Sequence, residues 1–411
     1  MCIRSAAVKS LLSTARASAQ APASVFYGAL LQALAQPPPL TRARRVAASC
    51  ISSADCRYDV VGLAQAMVDF GATVPDEFLA DFNVEKGGRR IITAEERAKV
   101  LQELDGAYKV NAAGSLTNTL LALARLSSAA AVSGIATPLR VAAASVSGCD
   151  TLGYFYRKQL HSAGVELLAS PAPDSNTGVC MVLTTEDANR TFLSYLGARQ
   201  ELQLTDEIAA AIAHSRLLLI EGYLWEMPGA PEAITRAIKV VHANGGLVAL
   251  TAGDAAVVER HRSEIWDALG CGVDLLFMNR SEAAALFEDP SMTAAAAALS
   301  LGPHCSISAV TDGSKGSCIC TLGRLLAVPP YWTQSAPVDS CGAGDAYAAG
   351  MVWGMLSGLD PAAMASCASR VASAVIAKHG AGLDVPEAEE LLSSMPSAAN
   401  GVSRLMQLTE S

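Results

Sequence analysis

The stretch Val338–Asp345 reads V-D-S-C-G-A-G-D, and a small-residue, apolar segment with helical character follows it. Gly342 and Gly344 allow the backbone to turn tightly. Their N–H groups, with that of Ala343, point at the start of the predicted helix, where an anion is favoured. Asp345 then lies beside the anion site, where a carboxylate can accept the proton of an attacking hydroxyl. The alternative is that Asp345 caps the helix and the glycines only permit the turn.

A second motif, N-R-S-E at Asn279–Glu282, directly follows a predicted strand at Leu275–Met278. The N-x-x-E spacing places an amide and a carboxylate one turn apart on one helix face. Such a carboxylate can order the water molecules of Mg²⁺ around phosphate groups, because Mg²⁺ keeps much of its water shell. Taken alone, the motif is better explained as a helix cap, with Asn279 as the cap and Glu282 three residues later.

Two further turns combine glycine with polar residues. Thr311–Gly316 reads T-D-G-S-K-G between two short predicted strands, and its backbone N–H groups can cradle a triphosphate. An ordinary hairpin is the alternative there. Ala113–Asn118 reads A-G-S-L-T-N. Gly114 permits a close backbone approach, and Asn118 offers a donor and an acceptor to a polyol, or alternatively bonds to its own helix backbone.

The chain from Tyr58 onward alternates predicted strands and helices. Strands are predicted at Tyr58–Leu63, Leu139–Ser145, Val179–Thr184, Thr191–Tyr195, Leu217–Glu221, Leu247–Thr251, Leu275–Met278, Ile307–Thr311 and Ser317–Thr321. Helices are predicted at Thr93–Leu104, Ala112–Leu126, Leu152–Ala163, Thr205–His214, Pro231–Asn244, Ala255–Leu269, Ser281–Phe287, Ala294–Leu301 and Ala346–Leu356, with a loop insertion at Ala129–Thr137. This spacing predicts a mostly parallel sheet covered on both faces, with ligands at the carboxyl ends of its strands. Asp69, beyond the first strand, can accept from two adjacent hydroxyls or is a solvated loop acid.

The composition of the chain excludes several classes of function. The chain has 411 residues with 51% hydrophobic and 17% charged residues, which is typical of a globular protein. No apolar run reaches the roughly 18–20 residues of a membrane helix. The net charge of −9 argues against direct nucleic-acid binding. Eleven cysteines lack metal-site spacing and predict free thiols.

The first 54 residues differ from the rest. They contain six Lys or Arg residues, no Asp or Glu, and many Ala and Ser residues. That composition predicts a transit peptide at 1–54. We expect import into the chloroplast or plastid stroma, with the mitochondrion or the cytoplasm as alternative locations. The simplest alternative is a disordered tail that has no targeting function.

In their order along the chain, the motifs resemble those of the PfkB (ribokinase-type) carbohydrate kinase family, and especially its adenosine-kinase-like branch. The resemblance covers Tyr58–Pro386 and includes G-C-D-T-L-G at Gly148–Gly153. It implies an α/β, ribokinase-like three-layer α/β/α sandwich with a mostly parallel central sheet. It implies a kinase domain at 55–390, a small β lid from about 72–93 and 179–198, and a tail at 391–411.

The resemblance also implies roles for individual residues. Asp345 would be the catalytic base, and the backbone of Cys341, Gly342, Ala343 and Gly344 would form an anion hole. Asp69, Gly114, Ser115 and Asn118 would hold the acceptor. ATP would contact Asn279, Thr311, Gly313 and Gly316, and Mg²⁺ would be held, largely through water, by Glu282 and Asn279. Asp339 matches the position of a monovalent cation site, which would take K⁺.

Two departures from the family pattern stand out. Ala113 replaces the first glycine of a G-G pair, which predicts an altered acceptor pocket, and Ser340 replaces a threonine. The predicted helix near Ser369–Lys378 lacks the asparagine often found beside the nucleotide base.

The sequence predicts an ATP-dependent kinase for a small sugar or nucleoside, with no membrane partner. It does not determine the oligomeric state. The alternative is a plastid gene-expression or assembly factor that retains the kinase fold. A dinucleotide-dependent oxidoreductase is disfavoured, because no G-x-G-x-x-G follows the first strand.

Overall fold

The computed structural model describes residues 56–187, 189–197, 202–331 and 337–394. The predicted leader and most of the predicted tail lie outside these ranges. Within them, no helix is both long and apolar enough to cross a bilayer.

The described residues form two kinds of regular element. The strands are β1 (Tyr58–Leu63), β2 (Met67–Thr73), β3 (Arg89–Ile91), β4 (Lys109–Ala113), β5 (Val141–Ala144), β6 (Val165–Leu167), β7 (Gly178–Thr184), β8 (Arg190–Tyr195), β9 (Ser215–Glu221), β10 (Leu247–Thr251), β11 (Leu275–Asn279), β12 (Ile307–Thr311), β13 (Ser317–Thr321) and β14 (Arg324–Val328). The helices are α1 (Asp76–Asp81), α2 (Ala94–Leu104), α3 (Ser115–Val132), α4 (Thr151–Ser162), α5 (Asp206–Ala213), α6 (Ala230–Ala243), α7 (Ala255–Arg260), α8 (Arg262–Cys271), α9 (Arg280–Phe287), α10 (Ala294–Leu301), α11 (Ala343–Leu356), α12 (Pro361–Val375) and α13 (Val385–Ser393).

The larger of two sheets has the strand order β14-β13-β12-β11-β10-β9-β1-β5-β6. Every neighbouring pair from β6 to β12 is parallel, and β13 and β14 extend the sheet in antiparallel fashion. The strands β1, β5 and β10 are buried at every position, as expected for a parallel sheet covered on both faces.

The two faces of this sheet are covered by different helices. Leu217 and Leu219 of β9 pack into a core with α3, α4, α11, α12 and α13. Leu218 and Ile220 pack into a second core with α5, α6, α8, α9 and α10. This alternation produces three layers and confirms the predicted ribokinase-like α/β/α sandwich.

The smaller sheet, which we call the lid, has the strand order β3-β8-β7-β2-β4. In β2, Val68, Phe70 and Ala72 pack into the core that also contains residues of α1 and α2. Because side chains alternate along a strand, Asp69 lies on the opposite face of the lid. Cys180 and Asn111 lie beside Asp69 on the neighbouring strands, so this inner face is polar.

The motif at Gly148–Gly153 joins the start of a helix to the lid. Asp150 caps α4 by accepting from the Gly153 N–H at 2.7 Å. The same carboxylate accepts from the Thr177 N–H at 2.9 Å and from its hydroxyl at 2.6 Å, directly before β7. This motif therefore anchors the lid hairpin.

Several predicted boundaries were wrong. The lid begins at Met67 and includes β4, where the sequence predicts the start of a helix. Helix α3 runs to Val132 through part of the predicted loop insertion, because Ala129 and Ala130 are buried and alanine favours helix. The single helix predicted over Ala255–Leu269 is two helices that meet at His261. The sequence pattern did not predict α1, β3, β6 or β14, and α13 ends at Ser393, beyond the predicted limit of 390.

Candidate active site

Asp345 lies in the first turn of α11 and bonds to the turn that begins α3. Its Oδ1 accepts from the Ser115 hydroxyl at 2.6 Å, and its Oδ2 accepts from Asn118 Nδ2 at 3.1 Å. Burial raises the pKa of Asp345 to about 6, while both hydrogen bonds act in the opposite direction. A carboxyl with this pKa is largely ionised at pH 7 and remains able to take up a proton.

The two glycines before Asp345 have different surroundings at the start of α11. Gly342 is the N-cap, with a φ of 73°, and a Cβ there would lie 2.4 Å from the Cβ of Ala381. A Cβ on Gly344 would meet no atom within 4 Å, so there is open space beside this backbone. The N–H of Ala343 donates to the Ser340 carbonyl at 3.3 Å and that of Cys341 donates to Asp339 at 2.8 Å, so two predicted anion donors are engaged within the turn.

The predicted acceptor turn starts at Gly114, which has a φ of 104° and caps α3 without a side chain. A Cβ on Gly114 would lie 2.8 Å from the Gln65 carbonyl oxygen, so glycine allows this close approach. Ala113 is the last residue of β4 and is only 2% exposed. Its methyl group is therefore buried within the protein.

Glu221, at the carboxyl end of β9, holds this turn in place. It is 1% exposed, and it accepts hydrogen bonds from the Gln65 N–H at 2.5 Å and the Leu116 N–H at 2.9 Å. Burial raises the pKa of Glu221 to about 7. The residue was missed as a site residue in the sequence, although an acidic residue ending an apolar strand was a visible signal.

The lid brings Asp69 and Arg190 to the same site. Burial and the negative charge of Asp345 raise the pKa of Asp69 to about 7, and the guanidinium of Arg190 opposes this shift. The three charges are therefore electrostatic neighbours. Arg190 begins β8 and was also missed as a site residue, because no local pattern relates it to the distant turn that it reaches.

Arg190 forms an ion pair with Asp339 at the start of the anion-site turn. The Asp339 side chain is 1% exposed. It also accepts from the Cys341 N–H at 2.8 Å and from the Gly380 N–H at 2.7 Å. The side chain that we had considered for a monovalent cation is thus paired with a cation from the lid, and its K⁺ role stays a prediction.

Asn279 and Glu282 form a reciprocal cap at the start of α9. Asn279 Oδ1 accepts from the Glu282 N–H at 2.9 Å, and a Glu282 oxygen accepts from the Asn279 N–H at 2.9 Å. The capping interpretation is therefore correct for the local geometry. Both residues also line a cavity that reaches Asp345, so capping does not exclude a second role.

This cavity is lined by residues of all four predicted motifs. It is lined by Ser115, Asn279, Glu282, Thr311, Gly344 and Asp345, among others. Gly313 and Gly316 are not among its lining residues; they shape the turn between β12 and β13. A Cβ on Gly316 would lie 2.2 Å from the Val328 carbonyl oxygen, so only glycine allows this close approach of the two backbones.

The residues around Glu282 fit the Mg²⁺ ion that the family implies. Glu282 is 6% exposed, and burial raises its pKa to about 8. A neighbouring cation would reverse that shift. The described part of the chain contains no cluster of three or more His, Cys, Asp or Glu residues suited to a metal. One carboxylate combined with phosphate and water oxygens is, however, a set that Mg²⁺ commonly uses.

Comparisons with known proteins identify the family of this chain. The profile described as pfkB family carbohydrate kinase matches residues 87–388. The chain is 27% identical over 255 residues to a nucleoside kinase of Methanothermobacter thermautotrophicus, covering 61% of this chain and 77% of that protein. It is 27% identical over 234 residues to guanosine-inosine kinase of Escherichia coli, covering 55% of this chain and 52% of that protein.

Among solved structures, adenosine kinase from Sinorhizobium meliloti matches with a TM-score of 0.74 and 30% identity. The match covers 82% of this chain and 100% of that one. Together with the family profile, which spans most of the described chain, this match confirms the family that the sequence motifs indicated. The chain therefore belongs to the pfkB family of carbohydrate kinases and is a phosphotransferase with a hydroxyl group as its acceptor.

Proposed function

We propose that this chain transfers the γ-phosphate of ATP to a hydroxyl of a nucleoside or sugar, with Asp345 as the general base. The pair of hydrogen bonds from Ser115 and Asn118 to Asp345 carries the proposal. These bonds join a carboxylate at the start of α11 to the turn predicted to hold the acceptor. The same carboxylate borders the cavity of Asn279 and Glu282. A base between an acceptor turn and a phosphate cavity suits in-line transfer.

Proton transfer follows from the environment of Asp345. The acceptor hydroxyl, held near Asp69 and Asn118, gives its proton to the Asp345 carboxylate while its oxygen attacks the γ-phosphorus, and the bond from that phosphorus to the bridging oxygen breaks as ADP leaves. Burial makes Asp345 a stronger base than an exposed aspartate, because it raises the pKa to about 6. Arg190 holds the lid against Asp339 and so keeps water away from the reacting groups.

The negative charge of the transferring group is balanced on the other side of the cavity. The open backbone at Gly344, at the start of α11, offers N–H groups and a favourable helix dipole. Glu282 and Asn279 would hold Mg²⁺, largely through its water molecules. When bound, Mg²⁺ supplies positive charge to the phosphate oxygens.

Among acceptors, we favour a nucleoside. The relatives named above are a nucleoside kinase, a guanosine-inosine kinase and an adenosine kinase. A ribose offers vicinal hydroxyls to Asp69 and Asn118, and the polar inner face of the lid closes over them. Free sugars present similar hydroxyls and form the competing class.

The test is a thermal-shift and ADP-release screen with purine nucleosides, pyrimidine nucleosides, ribose and hexoses. A matched acceptor should raise the melting temperature by mass action and should release ADP only when ATP and Mg²⁺ are present. The Asp345→Asn variant serves as the control, because it should still bind the acceptor without turnover. Absence of acceptor-dependent ADP release across all four classes would contradict the proposal.

We further propose that residues 1–54 direct the protein to plastids. The basic, acid-free composition of this segment supports the proposal. A fluorescent protein fused behind residues 1–54 should accumulate in plastids, whereas mitochondrial or cytoplasmic fluorescence would contradict it. Genetic rescue by an Asp345→Ala protein would instead favour the alternative role as a gene-expression or assembly factor.

A further inference from the structure

Four adjacent strands of the larger sheet end in polar residues, namely Glu221 on β9, Thr251 on β10, Asn279 on β11 and Thr311 on β12. Because side chains alternate along a strand, these residues share the face on which Leu219, Ala249, Phe277 and Ala309 are buried. That face packs against α3 and α11. The polar row therefore points toward the helices that begin with the acceptor turn and the anion-site turn.

Thr251 differs from its neighbours in this row. The oxygens of Glu221 bond to two backbone N–H groups, and Asn279 bonds to Glu282. Thr251 is only 7% exposed, and its Oγ1 has no hydrogen-bond partner in the described part of the chain. Buried hydroxyls are nearly always bonded. A valine would fill the same space, suit a strand equally well and leave no hydroxyl unbonded.

The location of Thr251 indicates its ligand. It lines the cavity that has Asn279 and Glu282 on one side and Gly344 and Asp345 on the other. A nucleotide whose phosphates extend from the start of α9 to the start of α11 passes over the end of β10. The phosphate nearest Asp345 is the γ-phosphate, since Asp345 must reach the hydroxyl that attacks it.

We propose that the Thr251 hydroxyl donates a hydrogen bond to an oxygen of the γ-phosphate of ATP. The inference rests on the kinase function proposed above and adds a phosphate ligand to it. Before and during transfer the γ-phosphate carries negative charge, and a largely buried hydroxyl donor interacts strongly with such charge. ADP lacks this phosphate, so the hydroxyl should distinguish ATP from ADP.

The experiment compares Thr251→Val with Thr251→Ser in the full chain. Isothermal titration measures the affinity for the non-hydrolysable analogue β,γ-methylene-ATP and for ADP, each with Mg²⁺. Thr251→Val should weaken binding of the analogue about tenfold and leave ADP binding within about twofold, as loss of one charge-assisted hydrogen bond predicts. Thr251→Ser keeps the hydroxyl and should retain both affinities.

Ser308→Ala is the matched control, because Ser308 is a fully buried hydroxyl on the same sheet that donates to the Ala298 carbonyl at 2.7 Å. It should lower the melting temperature without changing the ratio of the two affinities. Thr251→Val should leave the melting temperature unchanged or raise it. If Thr251→Val does not fold, Thr251→Cys, which has a weaker donor of similar size, is evaluated in the same way.

Two results would overturn the inference. One is an unchanged affinity of Thr251→Val for the ATP analogue. The other is an equal loss of both nucleotides together with a lower melting temperature, which would mean a structural role. Failure of the wild-type chain to bind either nucleotide would instead reject the proposed kinase function, so the two failures are distinguishable.

Discussion

On the phosphate side of the site, functional side chains bond three residues apart, as in Asn279 with Glu282. On the acceptor side, they bond across 105 to 230 residues, as in Glu221 with Leu116 and Ser115 with Asp345. The phosphate side is therefore formed by local turns at strand ends. The acceptor side forms only when α3, the lid and α11 have packed together. Substitutions that change the packing between α3, the lid and α11 should thus alter acceptor specificity and leave nucleotide affinity unchanged.

The largest expected effect is at Asp345, where the two sides meet. Asp345→Asn keeps the shape but removes the base, so kcat should fall by about two orders of magnitude or more. Steady-state ADP release measures this loss, and thermal unfolding checks that the variant is folded. Near-normal turnover would remove Asp345 from the base role.

The second effect tests the contact between the lid and the anion-site turn. Arg190→Met breaks the ion pair between the lid and Asp339. We expect kcat/KM for the acceptor to fall about 30-fold, because displaced catalytic groups lose rate steeply. ADP affinity should change less than about twofold.

Arg190→Lys is the matched control for this experiment. It keeps the charge but lacks the planar fork of arginine, so its activity should be intermediate. An equal loss of acceptor and nucleotide binding in Arg190→Met would show that the two sides are not separable.

The third effect tests the phosphate side. Glu282→Gln keeps a side chain of the same size but removes the buried carboxylate, so the Mg²⁺ concentration for half-maximal activity should rise about tenfold. The affinity for the acceptor without nucleotide, measured by calorimetry, should stay the same. A change in acceptor affinity alone would place Glu282 on the acceptor side and contradict this assignment.

The smallest effect is the pH dependence that Asp345 imposes. Its pKa is raised to about 6, and the base acts in its ionised form. We therefore expect kcat/KM to fall about fivefold from pH 6 to pH 5 and to level off above pH 7. A carboxyl whose pKa is raised in the folded state favours folding as pH falls, so unfolding caused by this group does not explain the loss. A flat profile over this range would contradict the assignment.

The same contrast explains what the sequence could predict. The parallel sheet and the Asn279, Thr311 and Asp345 motifs follow from periodicity and from turn chemistry within a few residues. Strand β4 was missed because K-V-N-A-A has little apolar pattern and pairs with β2, far away in the chain. Arg190 and Glu221 act through long-range contacts that no local spacing describes. Their roles depend on which strand ends become neighbours.

The bond between Ser115 and Asp345 also has a consequence for biosynthesis. These residues are 230 positions apart, and a ribosome adds about 5–20 residues per second. Roughly 10–50 s therefore separate the translation of the acceptor turn from that of the catalytic base. During that interval the nascent chain gains the rest of the lid but still lacks α11 and the base. Because the acceptor side forms only with α11 in place, a truncated product of translation should neither bind the acceptor nor consume ATP, and the energy cost of an incomplete copy is limited to its synthesis.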